Sequence, residues 1–463
     1  MYQIDFNKPC AVHFIGIGGI SMSGLAEILL RRGFTVSGSD AKESDLTKRL
    51  CAQGARVFYG QRAENITDSV DVVVYTAAIH EDNPELCAAR EKQIPCLTRA
   101  VLLGEIMLNY ETPVAISGTH GKTTTTSMLS EILLLADTDP TLSIGGILKD
   151  IGGNIRIGQS GLFVTEACEY TNSFLSFYPK ISAILNIDAD HLDFFRDLSD
   201  IRHSFHKFAA LLPKDGTLVI NGEIPSVTEI TQDIACRHIV TFGCDPSFAV
   251  YADDIRYDAF AHPSFTVHAH LPEGEHVFPV TLGVTGAHNV SNSLAAIAIA
   301  LILGAGEETI AKALAAFTGT DRRFQFKGML GKTTVIDDYA HHPTEITATL
   351  SAAQKYPHKT TWCVFQPHTY TRTKALMPEF AKALAAADKV VLADIYPARE
   401  TDNLGISSKT LQEEIQKAGG ECYYFPSFDE IENFLLEKCE PDDLLITMGA
   451  GDVFKIGEKL LGI

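Results

Sequence analysis

The sequence predicts an α/β protein of three domains, and three observations carry that prediction. The chain has 463 residues, and at roughly 150 residues per domain that suggests about three domains. Short apolar runs alternate with helical patterns along most of it, which implies parallel sheets with right-handed crossovers. Glycine-rich turns stand between a strand pattern and a helix pattern at residues 16–24 and again at 118–122. In such folds these turns receive phosphate groups.

The elements follow in order. Residues 11–15 are a buried strand, 16–19 turn into a helix over 23–32, and 35–40 and 70–76 are the next strands. A second unit opens after the loop 109–112 with a strand at 113–117, and a strand at 181–187 and a helix after Ser199 continue the pattern. Between Tyr251 and Val284 the pattern changes. Residues 265–271 alternate with period two, Pro272-Glu273-Gly274-Glu275 is a turn, and another extended run follows. This predicts a small extra antiparallel sheet. The most apolar stretch, 294–305, is well short of the ~20 residues that cross a bilayer and is expected to be a buried helix. A third unit starts near Asp321, with strands at 333–337, 361–365, 389–394 and 444–447. The expected domains are 1–111, 112–320 and 321–463.

Composition narrows the function. Hydrophobic residues at 46% and charged residues at 21% describe a globular chain able to bury several cores. The 38 basic and 58 acidic residues leave a formal charge of −20. That argues against nucleic acid or an anionic membrane as partner, since both need positive surface. Residues 1–8 lack the basic start and apolar stretch of a signal peptide. The ten cysteines include no C-x-x-C pair, so neither a zinc site nor a disulfide framework is expected. A soluble cytoplasmic protein is the expectation.

The first glycine turn, Gly16-Ile17-Gly18-Gly19-Ile20-Ser21, fails the strict dinucleotide pattern at its last glycine. Asp40 ends the next strand, after Ser39, roughly where a ribose-binding acid would sit. NAD, another diphosphate ligand and a structural turn all remain open at this point. The second turn, Gly118-Thr119-His120-Gly121-Lys122-Thr123-Thr124, is a shortened P-loop. Its N–H groups cradle phosphates, Lys122 pairs with the β/γ-phosphates and the Thr123 hydroxyl can ligate Mg²⁺, so ATP is expected. A helix N-terminus with a solvated lysine is the blander reading. Gly331-Lys332-Thr333-Thr334 resembles a P-loop tail but precedes β-branched residues, and is expected to be a turn between strands.

Glu166 ends an apolar strand downstream and is a plausible Mg²⁺ ligand opposite Thr123. His191, in the run 186–193, is open between function and loop hydrogen bonding, because Mg²⁺ prefers oxygen. Asn289 and Asn292 could serve as helix caps alone, and Arg323 offers a guanidinium for phosphate. Asp338, Tyr339, His341 and Arg372 lie in two runs that end strands of the third unit.

Together and in this order, the runs 16–23, 118–124, 186–193 and 337–343 resemble the Mur ligases of peptidoglycan synthesis, over almost the whole chain. The resemblance implies a Rossmann-like first domain that binds the UDP part of UDP-N-acetylmuramate through Gly16, Gly18, Gly19, Ile20, Ser39 and Asp40. It implies a central P-loop ATPase domain and a C-terminal Rossmann-like lid. It assigns Thr123 and Glu166 to one Mg²⁺ and His191 to a second, with Lys122, Glu166 and His191 as catalytic residues. ATP would contact residues 118–124, Asn289, Asn292, Arg323 and Asp338, while Tyr339, His341 and Arg372 would lie near the incoming L-alanine. The implied activity is ATP-dependent amide formation through an acyl phosphate, by a monomer or weak homodimer. Two departures stand out. Cys168-Glu169-Tyr170-Thr171 replaces the family's Asp-Glu-Ser-Asp run, and Thr369 replaces an arginine. The near alternative is a recycling ligase that joins a whole peptide to the same sugar nucleotide. A nicotinamide-dependent oxidoreductase and a non-catalytic ATP-driven switch are the rivals of other classes.

Overall fold

Three sheets organise the chain in a computed structural model that describes residues 2–76, 78–272, 274–398 and 400–463. The first sheet is all parallel, in the order Arg56–Tyr59, Thr35–Asp40, Ala11–Ile15, Val72–Tyr75, Cys96–Thr98. Its order reverses beside Ala11–Ile15, the switch point at which ligands settle in doubly wound sheets. Val72, Val73 and Val74 are fully buried, as expected of a central parallel strand covered on both faces. The helix Ile20–Arg31 starts three residues earlier than the sequence predicts, because Gly19 already accepts the first helical bond from Ser23.

The second sheet has ten strands. The P-loop strand Thr112–Ser117 lies between Ile181–Ile184 and Leu162–Ala167, parallel to both. The predicted extra antiparallel sheet is present as Val250–Tyr257, Pro263–Leu271 and Gly274–Thr281. It is not separate: Phe242 pairs with Val250 and Gly243 with Tyr251, so the central sheet runs on into it and is mixed. Glu273 of the predicted turn lies outside the described residues. The apolar helix His288–Ile302 is buried against the P-loop helix Lys122–Leu135, and Met128, Ile132, Leu294 and Ile297 share one core.

The third sheet runs Gln325–Leu330, Thr333–Asp338, Leu444–Met448, Thr361–Phe365, Lys389–Leu392, Cys422–Tyr424. Its first strand is antiparallel and forms a hairpin with the second at Gly331, whose φ of +63° suits glycine. The run 331–334 is thus a strand turn and no second P-loop. Among the described residues no helix is long and apolar enough to cross a membrane. All ten cysteines are free thiols.

The three units are joined unequally. Met107, Phe163, Phe174 and Phe205 belong to one buried cluster that spans the first and second sheets. The helix Arg99–Met107 seats so closely that a Cβ on Gly104 would stand 1.9 Å from the Ser176 carbonyl. The third unit keeps its own two clusters, and their members begin at Phe324.

Candidate active site

The P-loop meets its neighbours where three parallel strands end. Gly121 closes the loop with φ +84°, and a Cβ there would fall 2.3 Å from Asn292 Oδ1, so only glycine lets the loop lie on the helix His288–Ile302. Lys122 opens the next helix and its ammonium donates to the carbonyls of Gly118 and Thr119 and to Glu169 Oε2, the last at 3.0 Å. Burial disfavours that charge, but Glu169 holds the ammonium well above its ordinary value. The run 168–171 therefore supplies the lysine's counter-ion through Glu169.

Register brings Glu166 level with Ile116, at the end of the P-loop strand. Its carboxylate accepts from Thr123 Oγ1 at 3.0 Å and from the Gly145 N–H. A Cβ on Gly145 would stand 2.6 Å from Glu166 Oε2, so a larger residue there would push the carboxylate aside. Burial pushes the Glu166 carboxyl up. His191 has φ +54°, stacks on Tyr170 with centroids 4.5 Å apart, and places Nε2 3.6 Å from Glu169 Oε1. That Glu169 oxygen is buried and accepts no hydrogen bond, an open acceptor of the kind a cation would use. Among the described residues no three His, Cys, Asp or Glu side chains converge as a metal cage. Mg²⁺ held mainly by substrate phosphates needs only one or two protein ligands. The oxygen donors Thr123 and Glu166 fit that requirement.

A cavity of about 520 Å³ extends from the P-loop, lined by His120, Gly121, Thr124, Asn289, Asn292, Arg323 and Asp338 among others. The two asparagines are bound to each other, Asn292 Nδ2 donating to Asn289 Oδ1 at 2.9 Å, and neither caps the helix. Asp338 accepts from the N–H groups of Phe324 and Ala340, and burial raises its carboxyl to about 6. Arg323 lies over the Tyr339 ring, 5.2 Å from its centroid.

A second cavity, of about 360 Å³, is lined by Tyr170, His191, His368, Thr369, Arg372 and Glu400 among others. Arg372 reaches across from the third unit to Asp190, Nε to Oδ1 at 3.0 Å. Burial would raise the Asp190 carboxyl, but Arg372 holds it well below the usual range. His341 is pressed down to about 4, mainly by burial, and is neutral at pH 7. Thr369 caps the short helix that carries Arg372.

In the first unit Gly16 and Ile17 donate to the Ser39 carbonyl, and the Gly18 N–H donates to Asp40 Oδ2 at 2.8 Å. Gly19 caps the following helix and Ile20 is exposed. Ser39 differs from its expected place. It is fully buried and its hydroxyl donates to Glu85, so it shapes the turn from beneath instead of facing a ligand. Neither large cavity is lined by these residues.

The sequence assigned no site role to Glu169, Asn186, Asp188, Glu345 or Glu400. Glu345 had a legible signal, since it stands two residues after Pro343, a residue that suits the first turn of a helix. Glu400, which accepts from the Tyr370 and Thr371 N–H groups, had none.

The match to known proteins covers all three units. Residues 11–111 match the Mur ligase family catalytic domain, 116–300 the Mur ligase middle domain, and 322–451 the Mur ligase glutamate ligase domain. A UDP-N-acetylmuramate–L-alanine ligase of Agathobacter rectalis is 59% identical over 461 residues, 100% of each chain. One from Clostridium botulinum is 51% identical, over 99% of this chain and 98% of the other. Among solved structures, a UDP-N-acetylmuramate–alanine ligase of Thermotoga maritima superposes with a TM-score of 0.79 at 30% identity, over 98% of each chain. A murein peptide ligase of Psychrobacter arcticus gives 0.71 at 26%, also over 98% of each. With its P-loop, strand-end acids and third-domain histidines inside these matches, the chain belongs to the Mur ligase family.

Proposed function

We propose that this protein joins L-alanine to UDP-N-acetylmuramate, with ATP cleaved to ADP and phosphate. The observation that carries the reading is full-length identity of 59% to a relative of that name, joined to a P-loop whose lysine, threonine and acidic partners meet at one strand edge. In the reaction the muramyl carboxylate attacks the γ-phosphorus of ATP and ADP leaves, giving an acyl phosphate. The neutral amine of L-alanine then attacks the acyl carbon, loses a proton, and phosphate departs.

Catalysis is positioning and charge neutralisation. Lys122 leaves Glu169 to meet the charge on the transferring phosphoryl group. Thr123 and Glu166 would hold one Mg²⁺ and His191 a second, and an ion so placed would neutralise phosphate charge. Asn289, Asn292, Arg323 and Asp338 shape the nucleotide cavity. Gly16, Gly18, Gly19, Ile20 and Asp40 receive the UDP moiety, with Ser39 supporting the turn. Tyr339, His341 and Arg372 border the place of the amino acid. The domains divide at 1–111, 112–320 and 321–463. The protein works in the cytoplasm as a monomer or weak homodimer, without nucleic-acid or membrane partners.

Phosphate release with UDP-N-acetylmuramate and ATP tests the reading. Release should require L-alanine. Release that instead requires a murein peptide would assign the recycling activity, and no release with either would reject ligation.

A further inference from the structure

Among the described residues, the buried apolar clusters of the first two domains end at Phe317, and those of the third begin at Phe324. The third domain is therefore fastened to the P-loop domain without a shared buried core. Polar contacts can open and re-form, as a lid over a water-sensitive intermediate must.

Glu345, the third residue of the helix Pro343–Ala353, stands at this seam. Its carboxylate is divided between two domains. Oε2 accepts from the His341 N–H at 3.0 Å within the third domain, while Oε1 lies 3.2 Å from Nδ1 of His120 in the P-loop. Arg323 Nη1 is 4.0 Å from the same oxygen. His120 is held from its own side as well. Its N–H donates to Asn186 Oδ1 at 2.7 Å, and its Nε2 stands 3.1 Å from Asp188 Oδ2. Both partners are mostly buried, with side-chain exposures of 13% for His120 and 14% for Glu345. A carboxylate so placed is stable only while its cationic partners are present.

We propose that Glu345 is a positioning residue that fastens the third domain to the P-loop through His120, and so holds Arg323 in the nucleotide cavity. The inference rests on the reading of that cavity as the ATP site. A purely local role, closing the first turn of its helix, is the alternative. Glu345→Gln separates the two, because an amide keeps an acceptor for the His341 N–H but loses the charge.

The test uses the full chain, with ATP, UDP-N-acetylmuramate and L-alanine for the rates and with a non-hydrolysable ATP analogue plus UDP-N-acetylmuramate for scattering. Glu345→Gln should lower kcat roughly ten- to hundredfold, leave KM for UDP-N-acetylmuramate within about twofold, and leave a larger radius of gyration by small-angle scattering than the liganded wild type. Glu345→Asp should recover part of the rate. His120→Asn should reproduce the effect from the P-loop side, and the double variant should be no worse than the poorer single one. Normal kcat and normal compaction in Glu345→Gln, additive losses in the double variant, or equal loss of UDP-N-acetylmuramate affinity would each overturn the proposal. If Glu345→Gln does not fold, His120→Asn decides by the same measures. Failure of the wild type to release phosphate would reject the ligase reading alone, since scattering still reports the latch.

Discussion

The Lys122 ammonium lies 3.0 Å from Glu169 Oε2, and the Glu169 side chain is only 2% exposed. The lysine proposed to bind phosphate is thus also a close cationic partner of a buried carboxylate. Lys122→Ala should lower kcat by several powers of ten. It should also lower the melting temperature, because an orphaned buried charge costs about 3–5 kcal/mol. Adding Glu169→Gln should restore the melting temperature but not the rate. Calorimetry and a phosphate assay on both variants check this, and near-normal ligation by Lys122→Ala would refute the P-loop assignment.

His191 faces the unpartnered oxygen of Glu169 at 3.6 Å. His191→Ala should raise the Mg²⁺ concentration needed for half-maximal rate several-fold while disturbing ATP binding less. A magnesium titration of the rate, beside nucleotide binding by calorimetry, is the measurement. Full activity with an unchanged Mg²⁺ dependence would leave His191 as a stacking partner of Tyr170.

Asp40 holds the Gly18 N–H at 2.8 Å and stands at the end of the strand Thr35–Asp40. UDP-N-acetylmuramate should raise the melting temperature of the intact protein and NAD should not. Asp40→Ala should reduce the shift by at least half. The intact chain is required, since Leu103 and Met107 share a core with Phe163 and Phe174 and would be exposed in an isolated first domain. A shift from NAD alone would favour an oxidoreductase.

His120 gives the stability of the docked state a pH dependence. Burial would lower its imidazolium, but Asp188 and Glu345 outweigh that and raise it to about 9, from an ordinary 6.5. A raised folded-state value means the contribution is fully present below pH 6.5 and is lost as pH rises through about 9. The melting-temperature gap between wild type and His120→Asn should therefore be widest near pH ~6 and close by pH ~10. A gap that widens with pH would contradict this assignment of charge.

The single tryptophan, Trp362, is 1% exposed and donates from Nε1 to Asp443 Oδ2 at 3.0 Å, beside Tyr423 and Phe434. Its fluorescence reports the third domain's own core, so scattering is the better measure of closure.

Much of this architecture was legible because it depends on local pattern. The strands Ala11–Ile15, Thr35–Asp40 and Thr361–Phe365 fall where their apolar runs place them. Lys122, Thr123 and Glu166 could be selected from the P-loop and a strand end, because parallel strands deliver their C-terminal residues to one edge. The Ser39 side-chain direction could not, since it depends on Glu85, 46 residues away in the chain.

Period, glycine placement and motif order thus determine the three α/β units and the glycine-rich turns between strand and helix, because these are properties of neighbouring residues. Partnership across units belongs to the tertiary structure alone. Lys122 with Glu169, His120 with Glu345 and Arg372 with Asp190 are separated by 47, 225 and 182 residues. No periodicity links such positions. Each pair is made by the register of strands or the docking of one domain on another, and burial there decides which charges must be matched.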